Sequence, residues 1–208
     1  MTNILIVTSS ANGAGSVSGR LAEAHAAQLA AAHPGAKIVR RDVGAEPLPH
    51  LTAATVAAIK GTPASAAEHE ARALSDALVA ELAAADLIVI ASPMYNFGMS
   101  STLKAWFDHV LRAGITFRYT ESGPQGLLTG KKAVVIESRA GFYSDGPAAA
   151  LDGQEPHLRV LLGFIGIDDV TFVRAEKLAF GPDAAEAAIA AASEALGRFA
   201  GETQKLAA

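Results

Sequence analysis

Short apolar runs alternate with alanine-rich stretches along the chain, and this alternation constrains the fold more than any other feature. The runs are 4–7, 37–43, 87–90, 133–136 and 170–173. Apart from 37–43, where Ile38, Val39 and Val43 are interspersed with charges, each is dominated by Val, Ile or Leu and nearly continuous in apolar character, as expected for parallel strands buried on both faces. The stretches between them, 16–32, 64–85, 100–112, 154–164 and 183–199, read as helices. A β-α-β-α repeat builds a doubly wound α/β sheet with helices on both faces. Five strands suit a parallel sheet of order 2-1-3-4-5 better than a six-stranded dinucleotide fold. With no repeat and no second core, one domain is expected across 1–208. Two connections, 44–63 and 116–130, exceed what linking requires, and long loops in compact folds tend to be functional or subunit-facing.

Composition narrows the chemistry. Half of the 208 residues are hydrophobic and 18% are charged, which excludes disorder as the main state. A net charge of −4 argues against a nucleic-acid partner. The absence of cysteine removes disulfides, thiolate nucleophiles and Cys-ligated metals, so redox chemistry would need a bound cofactor. The first residues, Met1 to Val7, lack the basic leader of a secretory signal. The longer apolar stretches are broken by Glu81, Asp86 and Pro93, short of the roughly 20 residues of a membrane span. A cytoplasmic protein without a membrane partner is the expectation. No His/carboxylate spacing resembles a metal site. His25, His33 and His69 read as solvated, His50 lies in a proline-rich loop, and His109 reads as an interface or packing residue rather than a proton donor. His157 has no partner visible in sequence. The pairs Arg40-Arg41 and Lys131-Lys132 read as solvated strand edges.

The first apolar run ends in Thr8-Ser-Ser-Ala-Asn-Gly-Ala-Gly-Ser-Val-Ser-Gly19. A strand that enters a Ser/Gly loop and then a helix turns backbone N–H groups into one concavity, where the helix start adds partial positive charge. That suits a phosphate. A P-loop would need a lysine, and a nucleophile elbow would need serine where Val17 stands. A dinucleotide fingerprint fits Gly13 and Gly15 but fails at Ser18, although Asp42 is placed as a ribose acid.

The third run ends in Ser92-Pro-Met-Tyr-Asn-Phe-Gly98, which offers thioether and aromatic surface to a flat ring. Gly98 is expected to permit a tight backbone path. The fourth run ends in Ser138-Arg139-Ala140-Gly141, small residues with one positive charge. In the 2-1-3-4-5 order these three loops share the crevice at the switch point. A phosphate site at the first and a ring site between the others describe FMN.

At these residues the chain resembles the FMN-dependent NADH-azoreductases, which also act as quinone reductases. The resemblance is carried by Ser92–Phe97 with Leu103-Lys-Ala-Trp-Phe-Asp108, by Ala113–Gly126, by Leu128-Leu-Thr-Gly-Lys-Lys132, by Ser138-Arg139 and by Leu162-Gly-Phe-Ile-Gly-Ile167. It implies a flavodoxin-like fold and a homodimer with one non-covalent FMN per subunit near the interface. It places FMN contacts on Ser10, Ser16, Val17, Ser18, Met94, Tyr95, Asn96, Phe97, Ser138, Arg139, Ala140 and Gly141. Ala140 stands where the family has glycine, and a positive φ there would cost about 1 kcal/mol or move the loop. Phe117 and Tyr119 are placed as walls of the substrate site.

The reaction implied is a relay in two steps. NADH gives up a hydride and leaves; a quinone or azo compound then takes the electrons, two at a time. The cofactor carries the difficult chemistry, so no side-chain nucleophile or base is assigned. A flavodoxin-type electron carrier is the alternative, although its partners usually dock on a more strongly acidic surface. A cofactor-free α/β module is a further one.

Overall fold

The computed structural model describes residues 1–206; the last two positions of the expected span 1–208 lie outside the described residues. Five parallel strands form the sheet: β1 (Asn3–Thr8), β2 (Lys37–Asp42), β3 (Leu87–Pro93), β6 (Lys132–Ser138) and β7 (Asp169–Ala175). Their order is β2-β1-β3-β6-β7, which is 2-1-3-4-5 counted along the sheet. The three inner strands are buried almost throughout, as the apolar runs require. The edge strands β2 and β7 are not: their outer residues alternate with exposed ones, because an edge has one neighbour only.

Two apolar layers sandwich the sheet. On one face α1 (Val17–Ala32) and α6 (Pro182–Leu206) pack Leu21, Leu29, Leu196 and Phe199 against Ile4, Ile6, Val89 and Ile136. On the other, α3 (Ala66–Ala84), α4 (Ser101–Val110) and α5 (Glu155–Phe164) pack Leu78, Trp106, Phe107 and Leu162 against Leu5, Val7, Ile88, Ile90 and Val135. Among the described residues no helix is long and apolar enough to cross a membrane.

Both long connections hold regular structure that their prolines and glycines do not announce. Residues 44–63 contain α2 (Ala53–Lys60), started by a reciprocal Thr52/Thr55 capping box. Residues 116–130 contain an antiparallel hairpin of β4 (Phe117–Thr120) and β5 (Gly123–Gly126). Gly126 presses directly on the backbone of Gly166, where a Cβ would have no room.

The histidine expectations need correction. His25 is fully buried, bonded to Gln28 and tilted on the ring of Phe199. Burial lowers its pKa, and the Gln28 bond opposes only part of that. His33 is also buried and bonds Thr203 of α6. His25 lies on the α1 face that meets α6 and His33 caps the C-terminal end of α1 beside it, positions that polar-looking sequence conceals. His109 is buried, with Nε2 on the Pro49 carbonyl oxygen, which is a packing role. The basic pairs are occupied: Arg40 bonds Glu23, Arg41 bonds Glu81, Lys131 bonds backbone carbonyls and Lys132 bonds Asp169.

Candidate active site

The carboxyl ends of β1, β3 and β6 open onto one crevice of about 570 Å³. Small-molecule sites commonly span roughly 300–1,000 Å³. The structure brings Ser10, Ser16, Val17, Met94, Tyr95, Ser138 and Ala140 together on its lining.

The near wall is made by backbone. Ser16 caps α1, its Oγ accepting from the Gly19 N–H at 3.0 Å. The first turn leaves the N–H groups of Val17 and Ser18 without intrahelical acceptors, which suits an anion. Ser18 is fully buried beneath the loop, its Oγ 3.4 Å from Ser16 Oγ, and it does not line the crevice. Ser10 Oγ meets Tyr95 Oη at 3.2 Å, and the Ala11 N–H donates to the same phenol oxygen. Asp42, the rival ribose acid, accepts from the N–H groups of Gly44 and Ala45 and so caps a turn. Gly44 lies so close to the Ser10 carbonyl that a Cβ would sit 2.2 Å from its oxygen, which seats the β2 exit against the phosphate loop.

The β3 loop departs from expectation in one respect. The left-handed backbone falls on Asn96 (φ 48°) and Phe97 (φ 71°), not on Gly98. Tyr95 and Gly98 exchange both backbone hydrogen bonds, at 2.8 and 3.0 Å, closing a tight turn around those two residues. Phenylalanine in this region is rare, and such outliers concentrate at functional sites. The turn leaves Phe97 49% exposed at the rim, edge-on to Tyr143.

The far wall corrects the reading of Arg139. Its guanidinium is fully buried and points away from the crevice. It bonds Glu137 at 2.7 Å, Asp152 at 3.0 Å, Glu176 at 3.2 Å and the Gln154 amide oxygen at 3.0 Å. Burial pushes Glu137 up to about 8 against the pull of Arg139, and its Oε1 has no partner among the described residues. Burial also works on Glu176, but hydrogen bonds from Ser144, the Tyr143 N–H and Arg139 hold it below its ordinary value. Ala140 and Gly141 have no positive φ, so alanine costs nothing at position 140. Gly141 backs onto the Tyr143 ring. Leu178 and Ala179 complete the wall, tied by their N–H groups to the carbonyls of Arg139 and Ala140. Both follow β7, whose end carries no glycine or serine loop to mark it in sequence.

Phe117 and Tyr119 part company. Phe117 is buried against Phe164, centroids 4.5 Å apart, and therefore packs the hairpin instead of walling a substrate. Tyr119 is 73% exposed. The hairpin rests on the turn after α5, at the end of the sheet where β6 begins, opposite the crevice.

A doubly wound five-stranded sheet with a ligand-sized crevice at its switch point, an anion site on one side and an apolar loop on the other, defines the flavodoxin-like class. The chain belongs to the flavodoxin-like fold family, whose profile matches residues 2–199, and within it to the family of FMN-dependent NADH:quinone oxidoreductases. It is 56% identical over 200 residues to the protein of that name from Hyphomonas neptunium, covering 96% of each chain. The Azotobacter vinelandii relative of the same name is 50% identical over 203 residues, covering 96% of this chain and 100% of the relative. An azoreductase structure from Bacillus anthracis strain Sterne superposes with a TM-score of 0.88 at 33% identity, covering 97% of this chain and 100% of that one.

The crevice itself suits FMN. Free N–H groups and serine hydroxyls lie at one end; Pro93, Met94, Leu178 and Ala179 give apolar walls; Ala140 leaves space beside them.

Proposed function

We propose that this chain is an FMN-dependent oxidoreductase that passes electrons from NADH to quinones and azo compounds. The observation that carries this reading is the single crevice joining the open first turn of α1 to the Met94-Tyr95 loop. FMN, when bound, supplies two-electron exchange between a nicotinamide and an acceptor, a chemistry no side chain of this cysteine-free protein offers.

The residues bind and orient. The Val17 N–H at the open first turn of α1, with the hydroxyls of Ser10 and Ser16, would hold the phosphate, and Ser18 would support that turn from beneath. Several such charge-assisted bonds fix its position. Met94 and Tyr95 would flank the ring, with Asn96 and Phe97 beside them and Ser138, Ala140 and Gly141 on the opposite side. Arg139 acts from beneath, by holding that side in place. The apolar walls of Pro93, Met94, Leu178 and Ala179 would exclude water from a ring seated between them. The contribution of these residues would be positioning, holding the cofactor fixed while donor and acceptor take turns at the crevice.

Tyr119 sits at the far end of the molecule from its own crevice, so it can wall a substrate site only in a neighbouring copy. This supports a homodimer. A cytoplasmic setting goes with NADH as donor.

Purified protein should be yellow or take up FMN. With NADH and a quinone it should oxidise NADH without an added reductase and give parallel double-reciprocal lines. A flavodoxin-type carrier would need a separate reductase. Colourless protein that refuses FMN would end the proposal.

A further inference from the structure

We infer that Asp152-Gly153-Gln154 is a positioning strap that sets the Met94–Phe97 loop against the far wall of the crevice, with Gln154 as its central residue. This rests on the FMN reading above. None of the three lines the crevice. Each grips a different part of its frame. The Gln154 side chain is fully buried; its Nε2 donates to the Ser92 carbonyl oxygen at 2.8 Å and to Ser92 Oγ at 2.9 Å. Its Oε1 accepts from Arg139 Nε at 3.0 Å. One amide therefore ties the end of β3 to the end of β6, just below Pro93 and Ser138 on the crevice floor. The Gly153 N–H donates to the Phe97 carbonyl oxygen at 2.9 Å, on the left-handed turn itself. A Cβ on Gly153 would come to 3.0 Å from that oxygen. Asp152 anchors the strap: Oδ1 accepts from the N–H groups of Gln154 and Glu155, while Oδ2 meets Arg139 at 3.0 Å.

The chemistry explains why an amide is needed. Gln154 must donate to a carbonyl and accept from a guanidinium at once, which a carboxylate, an ammonium or an apolar side chain cannot do. The strap also gives the rare φ of Phe97 a cause. The turn is held from outside by the Gly153 bond, as strained backbone requires of its surroundings.

The test compares Gln154→Met, Gly153→Ala and Arg159→Met with wild type. Arg159 touches Glu155 of the same ion cluster but no part of the strap or crevice, and its side chain is half exposed. The readouts are FMN dissociation constant by flavin fluorescence, visible circular dichroism of the bound flavin, its midpoint potential, and melting of the apoprotein. Gln154→Met removes all three hydrogen bonds of the amide and should weaken FMN roughly ten-fold, a part of their worth reaching the crevice, and alter the flavin dichroism and potential. Gly153→Ala should act in the same direction by roughly two- to five-fold, since it disturbs one bond only. Arg159→Met should leave dichroism and potential at wild-type values. If Gln154→Met does not fold, Gly153→Ala decides. Folded strap variants with wild-type affinity, dichroism and potential overturn the inference. So does a change in flavin signals for Arg159→Met equal to that of the strap variants. Wild-type protein that takes up no FMN overturns the functional reading instead, and this inference with it.

Discussion

The two walls of the crevice are built by opposite means. The near wall is backbone: a helix start, a capping serine and small residues, all within ten positions of one another in sequence. The far wall is held by buried charge, with Arg139 at its centre and acids drawn from positions 137, 152 and 176. A wall made of local backbone can be altered one hydrogen bond at a time. A wall made of a buried ion cluster should fail as a unit, because removing one partner strands the others without solvent.

Arg139→Met tests the far wall most severely. It leaves Glu137, Asp152 and Glu176 facing one another and frees the Gln154 amide. A loss of about 3–5 kcal/mol in unfolding free energy is expected, read by urea denaturation. A loss under about 1 kcal/mol would mean that the wall is held by its backbone bonds, and the contrast between the walls would disappear.

The pH response of the far wall comes next. Glu137 has its pKa raised in the folded protein, from an ordinary 4.5 to about 8, chiefly by burial. Between those values the folded state keeps a proton that the unfolded state releases. Stability from this group therefore falls as pH rises from 4.5 to about 8. Glu137→Gln cannot titrate, so wild-type stability relative to this variant should decline across that range. His25, whose pKa is lowered by burial, works in the opposite direction near its ordinary 6.5, but it is common to both proteins and cancels. A flat difference between pH 5 and 8 would place the Glu137 proton elsewhere.

The near wall should respond more mildly and more selectively. Ser16→Ala removes the α1 cap and should cost about 1 kcal/mol of stability. It should also narrow the preference for FMN over riboflavin, which lacks the phosphate, as titrations with both flavins would reveal. Far-wall variants such as Gln154→Met should weaken both flavins by the same factor. Equal losses for Ser16→Ala would mean that this hydroxyl does not serve the phosphate.

The same division governs what the sequence discloses. Inner strands are legible because burial on both faces demands unbroken apolar runs, and the phosphate loop is legible because its parts are adjacent. The far wall is not. Glu137 and Arg139 are two apart on a strand, but nothing local marks Asp152, Gln154 or Glu176 as their partners. The hairpin is hidden because Gly123, Pro124 and Gly126 are poor strand formers, and it owes its pairing to the packing of Gly126 on Gly166. Helix α2 is hidden by the prolines around it, although Thr52 and Ser65 announce helix starts by their capping boxes. The burial of His25 and His33 escapes because an alanine-rich helix does not declare which face it hides.

Tyr95 is where the two modes of construction meet, and it gives the smallest effect. Its loop is positioned by the strap and the far wall, but its phenol reaches across to Ser10 and the Ala11 N–H, each at 3.2 Å. The side chain is 38% exposed, so water can replace what Tyr95→Phe removes. The apoprotein should lose no more than about 0.5 kcal/mol, at the low end for a hydrogen bond. FMN should weaken about two-fold, by the same estimate of one solvent-replaceable bond. Riboflavin should weaken equally, because the phenol orders the loop and the phosphate groove together without itself gripping the phosphate. A loss confined to FMN would move Tyr95 to the near wall's function, and the boundary between the walls would then run through the β3 loop instead of beside it.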